Sequence, residues 1–256
     1  MHLYFIRHAQ SANNDLYART GGSLGRESDP PLTDMGHRQA RLLAEHLAGL
    51  NSDAAGQPNN LVGEFAARHN RLGYGLTHLY CSLMTRAIQT GGYISMATGL
   101  TLYAWPEIHE RGGLHNVDEE SGEDVGVPGP NRVYFEREFP QLILPDSVGE
   151  TGWWDRPMET LSEANGRARV VWAQLLDRHG GTEDRVAIVS HAGFFQSLLT
   201  CIIGGPQAIT SSQLGFDELW FGVSNTSISR LEIEESIMIV RYLNRVDFLP
   251  VELITG

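Results

Sequence analysis

Three times along this 256-residue chain a short apolar run ends in a polar turn, and the pattern predicts an α/β fold: a mainly parallel central sheet with helices on both faces. The runs are His2 to Ile6 before Arg7–Asn14, Leu76 to Tyr80 before Ser82–Arg86, and Val186 to Ser190 before His191–Gly193. The last two lead into helix-like stretches. In an open sheet of this kind, ligands bind beyond the carboxyl ends of the strands, so these turns are where chemistry is expected.

The first strand feeds a polar stretch, Arg7 to Asn14, that reads as an exposed loop. Gly21 to Gly25 is glycine-rich but follows no strand, so it too reads as a loop. Thr33 opens a helix whose apolar face carries Ala40, Leu43, Leu47 and Leu50, and Gly56 to Asn60 marks a surface loop beyond it. After the second strand a helix is expected through about Met96, with Arg86 near its first turn. The segment from about 112 to 158 is rich in Gly, Pro and acids and lacks a sustained period. It is too long for an ordinary connection and is expected to be an insertion or lid within a single domain spanning 1–256, with Trp153-Trp154 as its packing anchor or, alternatively, facing the substrate. Leu161, Ala164, Ala168, Val171 and Leu175 form another helical face, ending at His179-Gly180-Gly181. Leu219 to Tyr242 reads as two or three strands with a turn near Glu234-Glu235.

Composition narrows the function. Hydrophobic residues at 41% and charged residues at 20% suit a folded globular protein. A net charge of −12 repels a polyphosphate backbone, which argues against nucleic acid as a partner, although a few converging arginines can still reverse the potential inside one pocket. Cys81 and Cys201 are the only cysteines and sit in no CxxC pattern, so neither a structural zinc nor a disulfide framework is expected. The first apolar run is too short for a signal segment and no run is long enough to span a bilayer, so a cytoplasmic protein without a membrane partner is expected. His109 to His115 lacks the HExxH spacing and no GxxxxGK[ST] loop occurs, so neither a catalytic metal nor a cofactor is expected. Oligomeric state is left open.

Arg7-His8 follows the first strand, Arg86 the second and His191 the third, so the topology draws two distant histidines and two arginines toward one sheet edge. Arginines supply charge-assisted, bidentate donors to phosphate oxygens, and a neutral imidazole can attack phosphorus. Each residue alone is more commonly a surface or hydrogen-bonding group. Their joint placement points to phosphoryl chemistry.

The motifs then become specific. RHAQSANN, at Arg7 to Asn14, resembles the RHG-x-S/T signature of the histidine phosphatases, the phosphoglycerate mutase-like superfamily, with Ala9 in place of the usual glycine. PLTDMGHRQA, YCSLMTRAIQT and VSHAGFF resemble three further blocks of that family, in the family's order. The resemblance implies the phosphoglycerate mutase-like fold and a two-step reaction in which His8 takes the phosphoryl group from a small phosphorylated substrate and passes it to water or an acceptor. It also implies that Arg7, Arg86 and His191 hold the transferring oxygens and that Asn14 contacts the phosphate, with Ser11, Arg111 and Ala192 as further candidates. For the proton donor, Ile108 to Arg111 resembles the LNER stretch of the mutases and selects Glu110, while Glu107-Ile108-His109 resembles the E-I-H of some phosphatases and keeps Glu107 as the alternative. From Glu107 to Glu163 there are fourteen acids against four arginines and no lysine, a poor enclosure for a doubly phosphorylated intermediate. That favours a phosphomonoesterase over a mutase-type phosphotransferase, and both over a non-catalytic phosphate-binding or protein-interaction module.

Overall fold

The computed structural model describes residues 1–49, 60–118, 121–204, 220–235 and 237–256. Its seven-stranded sheet begins with β1 (His2–Arg7), which pairs in parallel with β7 (Arg185–Ser190) and antiparallel with β8 (Ile228–Glu234). On the other side of β7 lie β2 (His78–Cys81), β3 (Leu102–Ala104) and β6 (Leu142–Ile143), all parallel, while β9 (Ile237–Arg245) closes the far edge antiparallel to β8. The order is thus β6-β3-β2-β7-β1-β8-β9. The C-terminal hairpin turns at Glu235, whose φ is +50°.

Alternation along the strands divides the core in two. Tyr4 and Ile6 of β1, with Leu79, Cys81, Ala187 and Val189, pack against α2 (Asp34–Leu47) and α4 (Thr85–Thr98). Leu3 and Phe5, with Val186, Ile188 and Leu231, pack against α6 (Leu161–His179) and α7 (Ala192–Ile203). Helices therefore cover both faces, as the uninterrupted apolar character of β7 requires. No described helix is long and apolar enough to cross a membrane.

Register decides where the chemistry falls. Arg7 lies opposite Ser190 and Cys81 opposite Val189, so the next residues of the three strands, His8, Ser82 and His191, emerge together at one edge. The loop after β1 is fastened from several sides: the His8 amide donates to Ser190 O at 2.9 Å, Ala9 N to Thr90 Oγ1 at 3.1 Å and Gln10 N to Gln39 Oε1 at 2.8 Å. Gly36 of α2 meets this loop so closely that a Cβ would stand 2.1 Å from Gln10 O. Ala9 is fully buried and does not have a positive φ, so the glycine usual at this position is not needed here.

Four sequence expectations change in detail. The polar stretch after β1 is only partly loop, because α1 (Ala12–Thr20) starts within it, capped by a reciprocal Ser11–Asn14 pair. None of its residues is buried, so no apolar period announces it. In α6 the buried face is Ala164, Ala168, Val171, Leu175 and His179, and Leu161 is exposed at the first turn. The segment 112–158 holds a separate hairpin of β4 (His115–Val117) and β5 (Asp124–Gly126), then α5 (Arg132–Glu138) and β6, whose pairing with β3 makes it part of the main sheet. Phe135 and Val148 of this segment join the core, and Trp154 is buried against Met84 and Leu114. Finally, Asn60 opens α3 (Asn60–Arg68) instead of closing a loop, while Gly56 to Asn59 of the loop expected at 56–60, Leu50 of the helical face, and Leu219 lie outside the described residues.

Candidate active site

His8 is nearly inaccessible, and its ring is oriented by its own loop, with Nδ1 2.7 Å from Ala9 O. A carbonyl only accepts, so Nδ1 carries the proton and Nε2 holds the lone pair. Arg86 Nε donates to that Nε2 at 3.2 Å. Burial, and then the charges of Arg86 and Arg7, press the His8 pKa well below the ordinary histidine value, so the ring is neutral at neutral pH.

Arg86 sits in the first turn of α4 and is held from behind. Asp29 accepts from Thr85 N at 2.9 Å and from Thr85 Oγ1 at 2.8 Å, capping the helix, and faces Arg86 Nη1 at 3.7 Å. Burial lowers the Arg86 pKa, and Asp29 opposes that shift. Arg7 reaches back to Val223 O with Nη1 at 2.5 Å and has its pKa lowered to about 10, first by burial. Nε of Arg7 and Nη1 of Arg86 are buried without a hydrogen-bond partner. Orphaned donors of buried cations are costly, and a phosphate would satisfy them.

His191 is fully buried at the N-terminus of α7, its ring centroid 5.0 Å from that of His8. Its Nε2 lies 2.6 Å from Ser82 Oγ, which also accepts from Met84 N at 3.3 Å, while Nδ1 has no partner. With the serine proton directed at Nε2, the proton of neutral His191 is left on Nδ1. Its pKa too is well below the ordinary value, through burial and then Arg86 and His8.

Glu110 places its carboxylate at the same helix end. Oε2 accepts from Gly193 N at 3.2 Å, and Oε1 accepts from Phe194 N at 3.0 Å and Arg111 N at 2.7 Å. Its charge is felt by both Arg7 and Arg86. A Cβ on Gly193 would come 2.5 Å from Oε1, so the carboxylate occupies space that only glycine leaves free. Glu107 is elsewhere. It lines a cavity of about 270 Å³ with His109, Trp153 and Arg156, and its carbonyl accepts from Arg167.

Five sequence candidates thus gather: Arg7, His8, Arg86, Glu110 and His191. Ser11 and Asn14 are engaged with each other, since Asn14 Oδ1 accepts from Ser11 N at 3.1 Å and Ser11 Oγ at 2.9 Å. Asn14 Nδ2 makes no hydrogen bond among the described residues and remains available as a donor. Ala192 begins α7, and the Arg111 guanidinium stacks 5.3 Å from the Trp220 ring centroid. Sequence reasoning assigned no role to Ser82, Asp29 or Asn225. The last is fully buried and donates from Nδ2 to His8 O at 3.1 Å, while neighbouring Thr226 holds a φ of +59° and donates its amide to Arg7 O at 3.1 Å. A positive φ is costly for a β-branched residue, and the contacts to the His8 loop are what it secures. Only a polar Ser-Asn-Thr-Ser directly before a strand could have flagged these two positions.

Known proteins share the family and the fold. The family model of the histidine phosphatase superfamily (branch 1) matches residues 3–56 and 129–245. A probable phosphoglycerate mutase GpmB of Yersinia pestis (strain Pestoides F) is 24% identical over 236 residues, covering 92% of this chain and 86% of that protein. Among solved structures, Bacillus stearothermophilus YhfR superposes with a TM-score of 0.56 at 18% identity, covering 96% of this chain and 98% of the other. Phosphoserine phosphatase of Entamoeba histolytica in complex with 3-phosphoglyceric acid gives 0.55 at 14% identity, with 97% and 99% covered. Mycobacterial glucosyl-3-phosphoglycerate phosphatase with inorganic phosphate gives 0.54 at 17% identity, again with 97% and 99% covered.

Proposed function

Since the chain belongs to the histidine phosphatase superfamily, we propose that it is a phosphomonoesterase that hydrolyses a small phosphorylated substrate through a phosphohistidine at His8. The observation that carries this reading is the 2.7 Å contact of His8 Nδ1 with Ala9 O. Nδ1–H is tied there, which leaves the lone pair on Nε2, where Arg86 Nε donates at 3.2 Å, while Arg7 Nε, Arg86 Nη1 and His191 Nδ1 are buried without hydrogen-bond partners. Nε2 attacks phosphorus, the P–O bond to the leaving alcohol breaks, and Glu110 protonates the departing oxygen. Water then attacks the phosphohistidine, giving a proton back to Glu110, and inorganic phosphate leaves. Arg7, Arg86 and the Nδ1–H of His191 hold the transferring oxygens throughout, with Asn14 Nδ2 as an added donor.

The arginines and histidine supply the charge neutralisation, so the chemistry is independent of metal and cofactor. The protein acts in the cytoplasm, without nucleic acid or membrane as partner, and the β4–β5 hairpin of the 112–158 segment serves as the lid that selects substrate. A mutase-type transfer is the second reading, favoured by the name of the Yersinia relative. The excess of acids between Glu107 and Glu163 supports water as the acceptor.

Brief mixing with a turned-over phosphomonoester, followed by acid and base quenching, is the direct test. Acid-labile, base-stable label on His8, absent in His8→Ala, is expected. Label on a Ser, Asp or Cys would overturn the assignment. Release of inorganic phosphate in proportion to substrate consumed separates hydrolysis from transfer.

A further inference from the structure

At the end of the sheet remote from His8, three ligand-type side chains meet. His78 opens β2, His179 closes α6, and Asp184 immediately precedes β7, so all three lie where strands begin rather than where they end. Asp184 Oδ2 lies 2.9 Å from His179 Nδ1, and its other oxygen is 3.8 Å from His78 Nδ1. The two imidazoles stand edge to face with centroids 4.6 Å apart. One donor atom from each residue falls within 4.8 Å of the other two, and this is the only such group of three among the described residues.

We propose that His78, His179 and Asp184 bind one divalent transition ion of the Zn²⁺ class, which clamps the amino-terminal end of the sheet and takes no part in the chemistry at His8. Two imidazoles and one carboxylate select zinc, cobalt or nickel over magnesium or calcium, which favour oxygen ligands, and water completes a tetrahedral shell. Bonds of about 2.0–2.1 Å require donor separations of roughly 3.3 Å, so the group must contract by up to about 1.5 Å. His78 supplies that movement, being partly exposed at a strand start, while His179 is buried and fixed.

The protons also balance. When the ion takes the Nδ1 lone pair of neutral His179, the ring proton moves to Nε2, and Tyr80 Oη, 3.2 Å away, accepts it. Asp184 has no arginine or lysine partner to displace, since its ion-pair contacts are the two histidines and the adjacent Arg185 is turned to Tyr74 O at 2.9 Å. The clamp would act on a junction that already anchors the chain start. Asp184 O accepts from His2 N at 2.7 Å, and the amino group of Met1 donates to Thr182 O at 2.6 Å.

Titration of the full chain with Co²⁺, followed by visible absorption and back-titrated with Zn²⁺, tests this directly. One ion per chain with tetrahedral d–d bands is expected, and a hundredfold excess of Zn²⁺ over its Kd should raise Tm by about 5–10 °C. His78→Ala and Asp184→Asn should each weaken binding at least about tenfold and abolish the Tm rise. His78 is exposed enough that its replacement leaves the metal-free Tm near that of the parent. Absence of the bands, or the same bands and Tm rise in both variants, would overturn the site.

Discussion

At the scale of single residues, the sharpest question is which carboxylate moves the proton. The Glu110 carboxylate accepts from the first turn of α7, two and three positions beyond His191, and its charge reaches both arginines. Glu107 lies in a different cavity. Glu110→Gln keeps the shape but cannot donate to a poor leaving group, so alkyl phosphate turnover should fall on the order of 10²- to 10⁴-fold. An aryl phosphate needs little protonation of its leaving group and should suffer less, with a pre-steady-state burst as phosphohistidine hydrolysis becomes limiting. Glu107→Gln should change both substrates only modestly, and the reverse pattern would transfer the role to Glu107. Ser82→Ala offers a second test, since it frees the His191 ring from its tautomer. kcat should drop by about ten- to a hundredfold with KM little moved, and an unchanged kcat would show that the serine does not set the ring. The residues proposed to hold phosphate were legible because they cluster at strand ends: Arg7 ends β1, His8 and His191 follow β1 and β7, and Arg86 lies in the helix that follows β2. Ser82, Asp29 and Asn225 were not, since they act through residues 109, 56 and 217 positions away and a linear pattern holds no trace of such contacts.

Among the elements, α7 does the most for the site, because its N-terminus carries His191 and receives Glu110. The Gly193 contact makes this testable. Alanine is the better helix former, so Gly193→Ala should leave Tm unchanged or slightly raised, while its methyl group displaces the Glu110 carboxylate. Alkyl phosphate turnover should then fall on the order of 10²-fold, with the same sparing of aryl phosphates as Glu110→Gln. Equal losses on both substrates would instead mean that His191 had been disturbed. The strands and helices that flank the site were readable, since β1, β2 and β7 are apolar runs and α2 and α6 bury periodic faces. What escaped were elements without a period to display: α1 buries none of its residues, and β6 is two residues long and gains its place by pairing with β3.

Across the whole molecule, buried neutral histidines govern how the fold responds to acid. His8, His109 and His191 all have pKa values pushed well below the ordinary one, chiefly by burial, and His46, beside Tyr74 and Phe248, is lowered to about 4 by burial and then Arg245. In the unfolded chain each takes up a proton near pH 6.5, whereas in the fold it stays neutral until a lower pH. Over that interval the unfolded state binds more protons, so stability rises with pH and is lost as pH falls from about 6.5 toward 4. Each fully buried imidazole contributes a slope of at most about 1.4 kcal/mol per pH unit, and half-buried His46 contributes less. Asp29, whose pKa burial raises, works in the opposite direction at the acid end of the window. Tm measured from pH 7 to pH 5 in chelator should therefore decline steadily. His46→Gln, which can still hydrogen-bond Tyr74, should make the decline shallower without altering phosphate release at neutral pH. Activity follows a different part of the same physics, because in the proposed mechanism only a neutral His8 attacks phosphorus. The acid limb of kcat/KM should lie below pH 6.5 and persist in His46→Gln, while a Tm that holds level or climbs on acidification would contradict the neutral state assigned to these rings.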